Sequence, residues 1–194
     1  VKKAIESLNY KPNVFAQSLA GGRTRIIGLI YDNPNPVYIS QIMDGVLNYC
    51  HKMEYAVIIH PCKFEKRGLT TVMQGLIEKT RLKGMILTPP LSDSKELLSM
   101  VSKTKMPCTL ISPGSDKIRS KSIITNDYES SKDMVSHIIS KGHKKIALIK
   151  GHPGHMALRR RTQGYLDALD DAKIKVNDGF IFQGYNSFES GLEC

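Results

Sequence analysis

The stretch LNYKPNVFAQSLAGGRTRIIGLI, residues 8–30, decides how the chain is organised. It leads into the continuous apolar run IIGLIY, Ile26–Tyr31, which is typical of a parallel strand buried on both faces. Upstream, Pro12 disfavours helical angles just before it, and Asn13 can cap a new helix that a glycine pair then ends. The pattern predicts a short helix that joins an N-terminal element to a buried strand.

The helix predicted at residues 14–21 is only about eight residues long, and isolated helices of that length are marginal in water because nucleation is costly. It is therefore expected to be helical only against a partner. Phe15 and Leu19 share one face, and Ala16 and Ala20 leave room beside them for close approach. A small helix with one projecting leucine and flanking cations suits a wedge in the minor groove of DNA. An ordinary interdomain linker is the alternative, and composition alone favours it.

Length and composition indicate an ordinary globular protein of one large domain or two small lobes, with 194 residues, 41% of them hydrophobic and 24% charged. The net charge of +10 permits an acidic partner such as nucleic acid. The four cysteines form no C-x-x-C and no close pair, which argues against a disulfide framework or a zinc site and favours a reducing compartment. No signal peptide or long apolar run opens the sequence, so a cytoplasmic location is predicted.

From Arg25 onward, strand and helix patterns alternate. Strands are predicted at residues 26–31, 55–60, 84–88, 108–112 and 122–125, and helices at 38–52, 67–79 and 94–103. This alternation predicts an α/β fold with doubly wound parallel sheets, whose ligands lie beyond the carboxyl ends of the strands.

A second unit starts at Tyr128. Its helices are predicted at residues 129–141 and 157–171, and its strands at 144–149 and 180–183. Two strands do not complete a sheet flanked by helices, so the second lobe is expected to be incomplete. Both ends of the sequence are accordingly expected to continue into a longer protein.

The segments AIESLNYKPN, AQSL and RTRIIGLI, followed by recognisable blocks to the last residue, resemble the LacI/GalR family of transcription regulators. The resemblance implies a two-lobed core like that of periplasmic binding proteins. It divides the chain into the end of a helix-turn-helix headpiece and a hinge helix (1–23), a first lobe (24–141) and part of a second lobe (142–194). It also implies a homodimer that forms through the first-lobe helices predicted at residues 38–52 and 67–79.

The same resemblance implies which residues contact operator DNA: Asn13, Ala16, Gln17 and Leu19. Leu19 matches the leucine that inserts into the central base step of the minor groove. Phe15 departs from the family pattern, which usually has a smaller aliphatic residue at this position.

The resemblance further implies a set of effector contacts in the cleft between the lobes: Tyr38, Ile39, Asp127, His155, Arg161 and Asn186. Arg161 matches the arginine of the family's R-x-x-G-aromatic motif, and its guanidinium can bind two hydroxyls or a carboxylate. Ile39 departs from the aromatic pair that the family has after its first strand. From the residues alone, Asp127 could instead cap a helix, Arg161 could belong to a solvated basic face, and Tyr38 could be core.

The predicted function is a DNA-binding transcription regulator, a repressor, whose operator binding is controlled by a small molecule held between the lobes. The expected effector is a sugar or its phosphate, which changes the interlobe angle and so biases the hinge helices. A sugar-binding protein of the periplasmic type without DNA binding is the alternative.

Motifs for other chemistry are weak. The sequence has no G-x-G-x-x-G after a strand, no P-loop and no G-x-S-x-G, so neither an enzyme nor a cofactor is expected. His152 and His155 in GHPGH resemble a metal pair, but no carboxylate or cysteine at ligand spacing accompanies them, so no metal is expected.

Overall fold

A computed structural model describes residues 24–65, 67–114 and 121–194. The predicted hinge helix and its DNA contacts Asn13, Ala16, Gln17 and Leu19 lie outside the described residues. Within the described ranges, no helix is long and apolar enough to cross a membrane.

The first lobe is built on a five-stranded parallel sheet with the strand order β2–β1–β3–β4–β5. Its strands are β1 Ile26–Tyr31, β2 Ala56–Pro61, β3 Gly84–Leu87, β4 Cys108–Ile111 and β5 Lys121–Ile123. The chain passes from β1 to its neighbour β2, crosses back to β3 on the other side of β1, and continues outward to β4 and β5. The resulting switch point opens a crevice beyond the carboxyl ends of these strands.

Three helices follow the first three strands: α1 Pro36–Lys52, α2 Leu69–Thr80 and α3 Lys95–Thr104. Asn35 caps α1 by accepting from the Tyr38 amide at 3.1 Å, and Ser94 caps α3 by accepting from the Leu97 amide at 3.3 Å. The sheet and the helices α2 and α3 enclose the larger apolar core. Its fully buried members include Ile30, Met73, Leu87, Leu97 and Leu110.

The second lobe contains α4 Asp127–Ser140, β6 Leu148–Lys150, α5 Met156–Asp171, β7 Ile181–Gln183 and α6 Phe188–Leu192, with β6 and β7 parallel. Its smaller core joins α4 to α5 through Val135, Tyr165, Ala168 and Leu169. Gly164 makes this contact possible, because a Cβ at that position would overlap the carbonyl oxygen of Tyr128 on α4.

The predicted α/β fold with two lobes of parallel sheet is confirmed. α4 packs into the second core through Val135, and the division of the chain at residue 141 stays a prediction. The strand predicted at residues 144–149 pairs only over Leu148–Lys150, because β7 offers three partner residues.

Candidate functional site

A cavity of about 590 Å³ opens between the lobes, beyond the carboxyl ends of their strands. Segments that follow β1, β2 and β3 form its first-lobe wall, and segments that follow β6 and β7 form its second-lobe wall. The lining residues are Asp32, Asn33, Pro34, Lys63, Phe64, Glu65, Pro90, His152, His155, Tyr185 and Ser187. This is the location that parallel sheets with a switch point favour for ligands.

His155 is the most deeply buried titratable side chain of this cavity, with 6% of the residue exposed. It occupies the N-cap position of α5 but makes no side-chain capping bond. Burial and the nearby His152 lower the pKa of its imidazole, Asp32 opposes the shift, and the net value is about 4. The ring is therefore neutral near pH 7, and no described residue forms a hydrogen bond with it. A neutral imidazole in this position has one donor and one acceptor free for a ligand.

His152, on the same loop, faces the first lobe across the cavity. Its Nδ1 accepts from the Gly154 amide at 3.0 Å, which leaves Nε2 to carry the hydrogen of the neutral ring. Nε2 lies 3.7 Å from Oε1 of Glu65, on the opposite wall of the cavity. The ring centroid of His152 is 5.4 Å from that of His155 and 6.0 Å from that of Tyr185. The two histidines of GHPGH thus line one ligand-sized space, and the described residues contain no group of three or more metal-binding side chains.

Asp127 and Arg161 form an ion pair at the edge of the cleft. Oδ1 of Asp127 accepts from Nε of Arg161 at 2.7 Å, and Oδ2 accepts from the hydroxyl of Thr125 at 2.6 Å. Asp127 is only 6% exposed, whereas the Arg161 side chain is 55% exposed. Asp127 does not cap α4, since the N-cap residue is Asn126. Both carboxylate oxygens are engaged within the protein, so the aspartate mainly orients Arg161.

Tyr38 joins this pair from the first lobe. Burial raises the pKa of its phenol, a hydrogen bond with the Ser112 side chain partly offsets that rise, and Asp127 and Arg161 lie close enough to contribute. Tyr38 is half-buried at the cleft, and Ile39 is 5% exposed within the first lobe. Of the two residues at this position, only Tyr38 lies beside the predicted polar contacts.

The R-x-x-G-aromatic motif also has a packing role. The Arg161 carbonyl accepts from the hydroxyl of Ser131 on α4 at 2.7 Å, and Gly164 allows α4 and α5 to touch. The hydroxyl of Tyr165, a residue that is 2% exposed, donates to the carbonyl of Ile146 at 2.9 Å. The motif therefore fixes α5 on its neighbours and places Arg161 at the cleft.

Asn186 links the end of β7 to the histidine loop. Its Oδ1 accepts from the His152 amide at 2.8 Å. Gly151 is needed for this approach, because a Cβ there would lie 2.5 Å from the same oxygen. Asn186 and Arg161 share a separate cavity of about 300 Å³ within the second lobe. Of the predicted contacts, His155 therefore lines the larger cavity, Arg161 and Asn186 line the smaller one, and Asp127 and Tyr38 lie beside Arg161.

A second contact between the lobes escaped prediction from the sequence. Oδ1 of Asp93 accepts from the Gly114 amide at 2.7 Å, and Nη2 of Arg160 donates to the Gly114 carbonyl at 3.0 Å. A Cβ at Gly114 would overlap the Met156 side chain, so only glycine fits against the start of α5. Burial raises the pKa of the Asp93 carboxyl, and the amides of Gly114 and Met156 and the Arg160 charge oppose the rise. This junction holds the first turn of α5 on the first lobe.

Other cavity residues were also missed, although a signal for them existed. Asp32 directly follows β1, and Lys63, Phe64 and Glu65 follow β2. Polar and aromatic residues at the carboxyl ends of parallel strands could have been selected by position alone. Tyr185 has no such signal beyond its place after β7.

Comparison with known proteins gives a consistent result. Residues 24–193 match the family described as periplasmic binding proteins and sugar binding domain of the LacI family. The HTH-type transcriptional repressor PurR of Vibrio atlanticus is 32% identical over 190 residues, covering 95% of this chain and 55% of the repressor. PurR of Aliivibrio fischeri is 31% identical over 186 residues, covering 95% and 54%. The chain spans about half the length of the curated relatives it matches.

Solved structures share the fold. The lac repressor dimer bound to operator and the anti-inducer ONPF superposes with a TM-score of 0.84 at 24% identity, covering 99% of this chain and 57% of the repressor. The complex of the transcriptional regulator CelR with cellobiose gives a TM-score of 0.74 at 20% identity, covering 99% and 57%. At these identities the likeness extends to the fold.

Proposed function

This chain belongs to the LacI family, and from that premise we propose that it is the regulatory core of a repressor whose DNA binding is controlled by a small molecule held between the lobes. The two PurR proteins to which the chain is similar are transcriptional repressors. Because the chain covers about half of their length, the activity of the whole protein is part of the proposal.

The observation that carries the proposal is the cavity with walls from both lobes, in which the buried imidazole of His155 has no hydrogen-bond partner in the described part of the chain. A molecule that contacts His155 on one wall and Asp32 or Phe64 on the other interacts differently with open and closed lobes. Differential affinity of this kind is what allows a ligand to shift a conformational equilibrium. A sugar is the proposed effector, with Tyr38, Arg161 and Asn186 as further contacts from the edge of the cleft.

The output of the switch is proposed to be the segment that precedes β1. Residues 1–23 immediately precede the first lobe in the sequence, so a change in that lobe's position is proposed to act on them. Asn13, Ala16, Gln17 and Leu19 are the proposed contacts with operator DNA, and Leu19 is the proposed minor-groove wedge.

A homodimer through the first lobe completes the proposal. Exposed apolar side chains support it on both candidate helices, including Leu47 and Tyr49 on α1, which are 41% and 66% exposed, and Val72 on α2, which is 38% exposed. Apolar side chains at such positions favour contact with a second protein surface. Two first lobes side by side would present two hinges to one duplex.

The test uses the complete protein that contains this chain. Sugars are screened by thermal shift, because a compound that binds the folded state raises the melting temperature. A compound that raises it should also change the affinity for a duplex selected from a random pool, and His155→Ala should weaken both effects. His143→Ala is the matched control, since His143 is exposed in the loop before β6.

Three results would count against the proposal. A duplex that fails to bind at low salt removes the repressor function, since DNA binding is strongest there. An equal response to the compound in His155→Ala and the wild type removes the cavity as the effector site. Absence of stabilisation by every compound removes the sugar effector.

A further inference from the structure

We propose that the effector is uncharged where it meets the second lobe, an unphosphorylated sugar or nucleoside and not its phosphate, and that His155 sets this choice. The inference rests on the proposed function and names the ligand class of the same cavity. It follows from the state of the imidazole, from the charges around it, and from the partners of the nearby cations.

The imidazole of His155 favours an uncharged ligand. His155 is 6% exposed, lines the cavity, and has no hydrogen-bond partner among the described residues. Its low pKa, about 4, means that it meets a ligand as a neutral ring. A neutral ring pairs well with a hydroxyl or an amide, which can donate and accept in turn. It offers a phosphate a single donor and no charge, whereas phosphate sites commonly use arginine, lysine or a helix N-terminus.

The charges on the opposite wall also disfavour an anion. Asp32 and Glu65 contribute two carboxylates to the cavity lining, and Lys63 contributes one ammonium group. That ammonium lies 3.7 Å from Oδ1 of Asp32, on a side chain that is 84% exposed. The three groups together carry a net negative charge, so a phosphate between these walls would be repelled.

Nearby cations already have partners. Nε of Arg161 donates to Asp127, and Nη2 of Arg160 donates to the Gly114 carbonyl. Neither arginine lines the cavity, so neither places a cation against the part of a ligand that meets His155. The first turn of α5, which could otherwise attract an anion, meets the Asp93 carboxylate through the Met156 amide.

Two aromatic side chains complete the ligand class. Phe64 lies on the first-lobe wall, and Tyr185, which is 50% exposed, lies on the second. Aromatic faces suit the apolar face of a sugar ring or the plane of a nucleobase. An uncharged ring with polar edges therefore satisfies both the aromatic and the imidazole groups of the cavity.

The experiment compares matched pairs on the complete protein by calorimetry and thermal shift. The pairs are glucose with glucose 6-phosphate, cellobiose with its phosphate ester, and adenosine with AMP, with inorganic phosphate as the anion alone. In at least one pair the uncharged member should bind at least about tenfold more tightly, which corresponds to about 1.4 kcal/mol. Which pair responds distinguishes a sugar from a nucleoside.

Variants assign the preference to the named residues. His155→Lys places a fixed cation in the cavity and should shift the ratio at least about tenfold toward the phosphorylated member. His155→Gln keeps a neutral donor and acceptor and should retain the wild-type preference. If His155→Lys does not fold, Glu65→Gln, at a residue whose side chain is 83% exposed, should move the ratio in the same direction by a smaller factor.

The outcomes separate the inference from the function on which it rests. A wild-type protein that binds the phosphorylated member more tightly overturns the uncharged ligand and leaves an effector-controlled repressor standing. An unchanged ratio in both His155→Lys and Glu65→Gln overturns the role of these two residues in excluding a phosphate. If no member of any pair stabilises the wild type, the proposed effector function fails, and the inference fails with it.

Discussion

Asp127 and His155 are equally buried but differently satisfied. Each is 6% exposed, and each lies at the start of a second-lobe helix beside the cleft. Asp127 has a partner on each carboxylate oxygen, whereas the His155 ring has none among the described residues. A buried polar group normally requires a hydrogen bond, so a polar group left without one at a cavity indicates a binding role. The comparison supports the proposal that Asp127 holds the site together and that His155 meets the ligand.

Removing Asp127, whose two carboxylate oxygens both have partners, should lower the free energy of unfolding the most. Asp127→Ala deletes the ion pair and the Thr125 bond together and is expected to lower the free energy of unfolding by about 3 kcal/mol. Arg161 is half exposed and recovers part of its hydration, which keeps the loss below that of a fully buried pair. Denaturant titration measures the loss. Asp133→Ala on the exposed side of α4 is the control, and an equal loss in the two variants would contradict the distinction.

His155 should make the free energy of unfolding depend on pH. The unfolded chain protonates His155 near its ordinary pKa of 6.5, whereas the folded chain does so at about 4. Stability from this residue is therefore present above 6.5 and lost as the pH falls from 6.5 toward 4, by about 2 kcal/mol between pH 7 and pH 5. Unfolding free energies of the wild type and His155→Gln at both pH values measure it. Parallel pH dependence in the two proteins would show that His155 is not buried as described.

The hydrogen bond from Thr125 to Asp127 can be removed without breaking the ion pair with Arg161. Thr125→Val deletes the hydroxyl that donates to Oδ2 at 2.6 Å and leaves the Arg161 bond in place. The expected loss is about 1 kcal/mol in the free energy of unfolding. Thr125→Ser keeps the hydroxyl and serves as the control. A valine variant as stable as the serine variant would mean that the carboxylate does not depend on this bond.

The smallest stability effect is expected at His155 itself. His155→Gln at pH 7 breaks no hydrogen bond within the described residues and is expected to change the free energy of unfolding by less than about 0.5 kcal/mol. The affinity for the effector should change even though the free energy of unfolding does not, as expected for a side chain that contacts the ligand. His143→Gln serves as the control for loss of a surface imidazole. A stability loss as large as that of Asp127→Ala would make His155 structural.

Much of the fold could be predicted because its signals are local. The apolar run IIGLIY produced β1 with its predicted bounds, Ile26–Tyr31, and the helix after it ends at Lys52, as predicted. The strand predicted at residues 144–149 was too long because strand length depends on a paired neighbour, which local periodicity does not contain. The packing of α4 against α5 is likewise not contained in local periodicity, because the partner residues of α4 lie about 30 positions further along the chain.

The contacts of the site could be predicted from the sequence less completely than the elements of the fold. The family resemblance led to Arg161 and Asp127, which the structure does bring together at 2.7 Å. It did not lead to the Asp93 junction, whose Gly114 contact spans 21 residues and whose Arg160 contact spans 46. No spacing rule selects residues that meet only after two lobes have packed.

The sequence by itself determined the order of strands and helices, the crossover fold, and the ends of the strands at which a ligand can bind, because hydrophobic periodicity and turn residues act over a few positions. Only the tertiary structure decided that Asp127 is paired with Arg161, 34 residues away, and that the neutral His155 ring has no hydrogen-bond partner among the residues that the structure describes. Exclusion of water and the distance between side chains arise only when separate segments pack, and these two quantities set the charge and the binding capacity of a buried group.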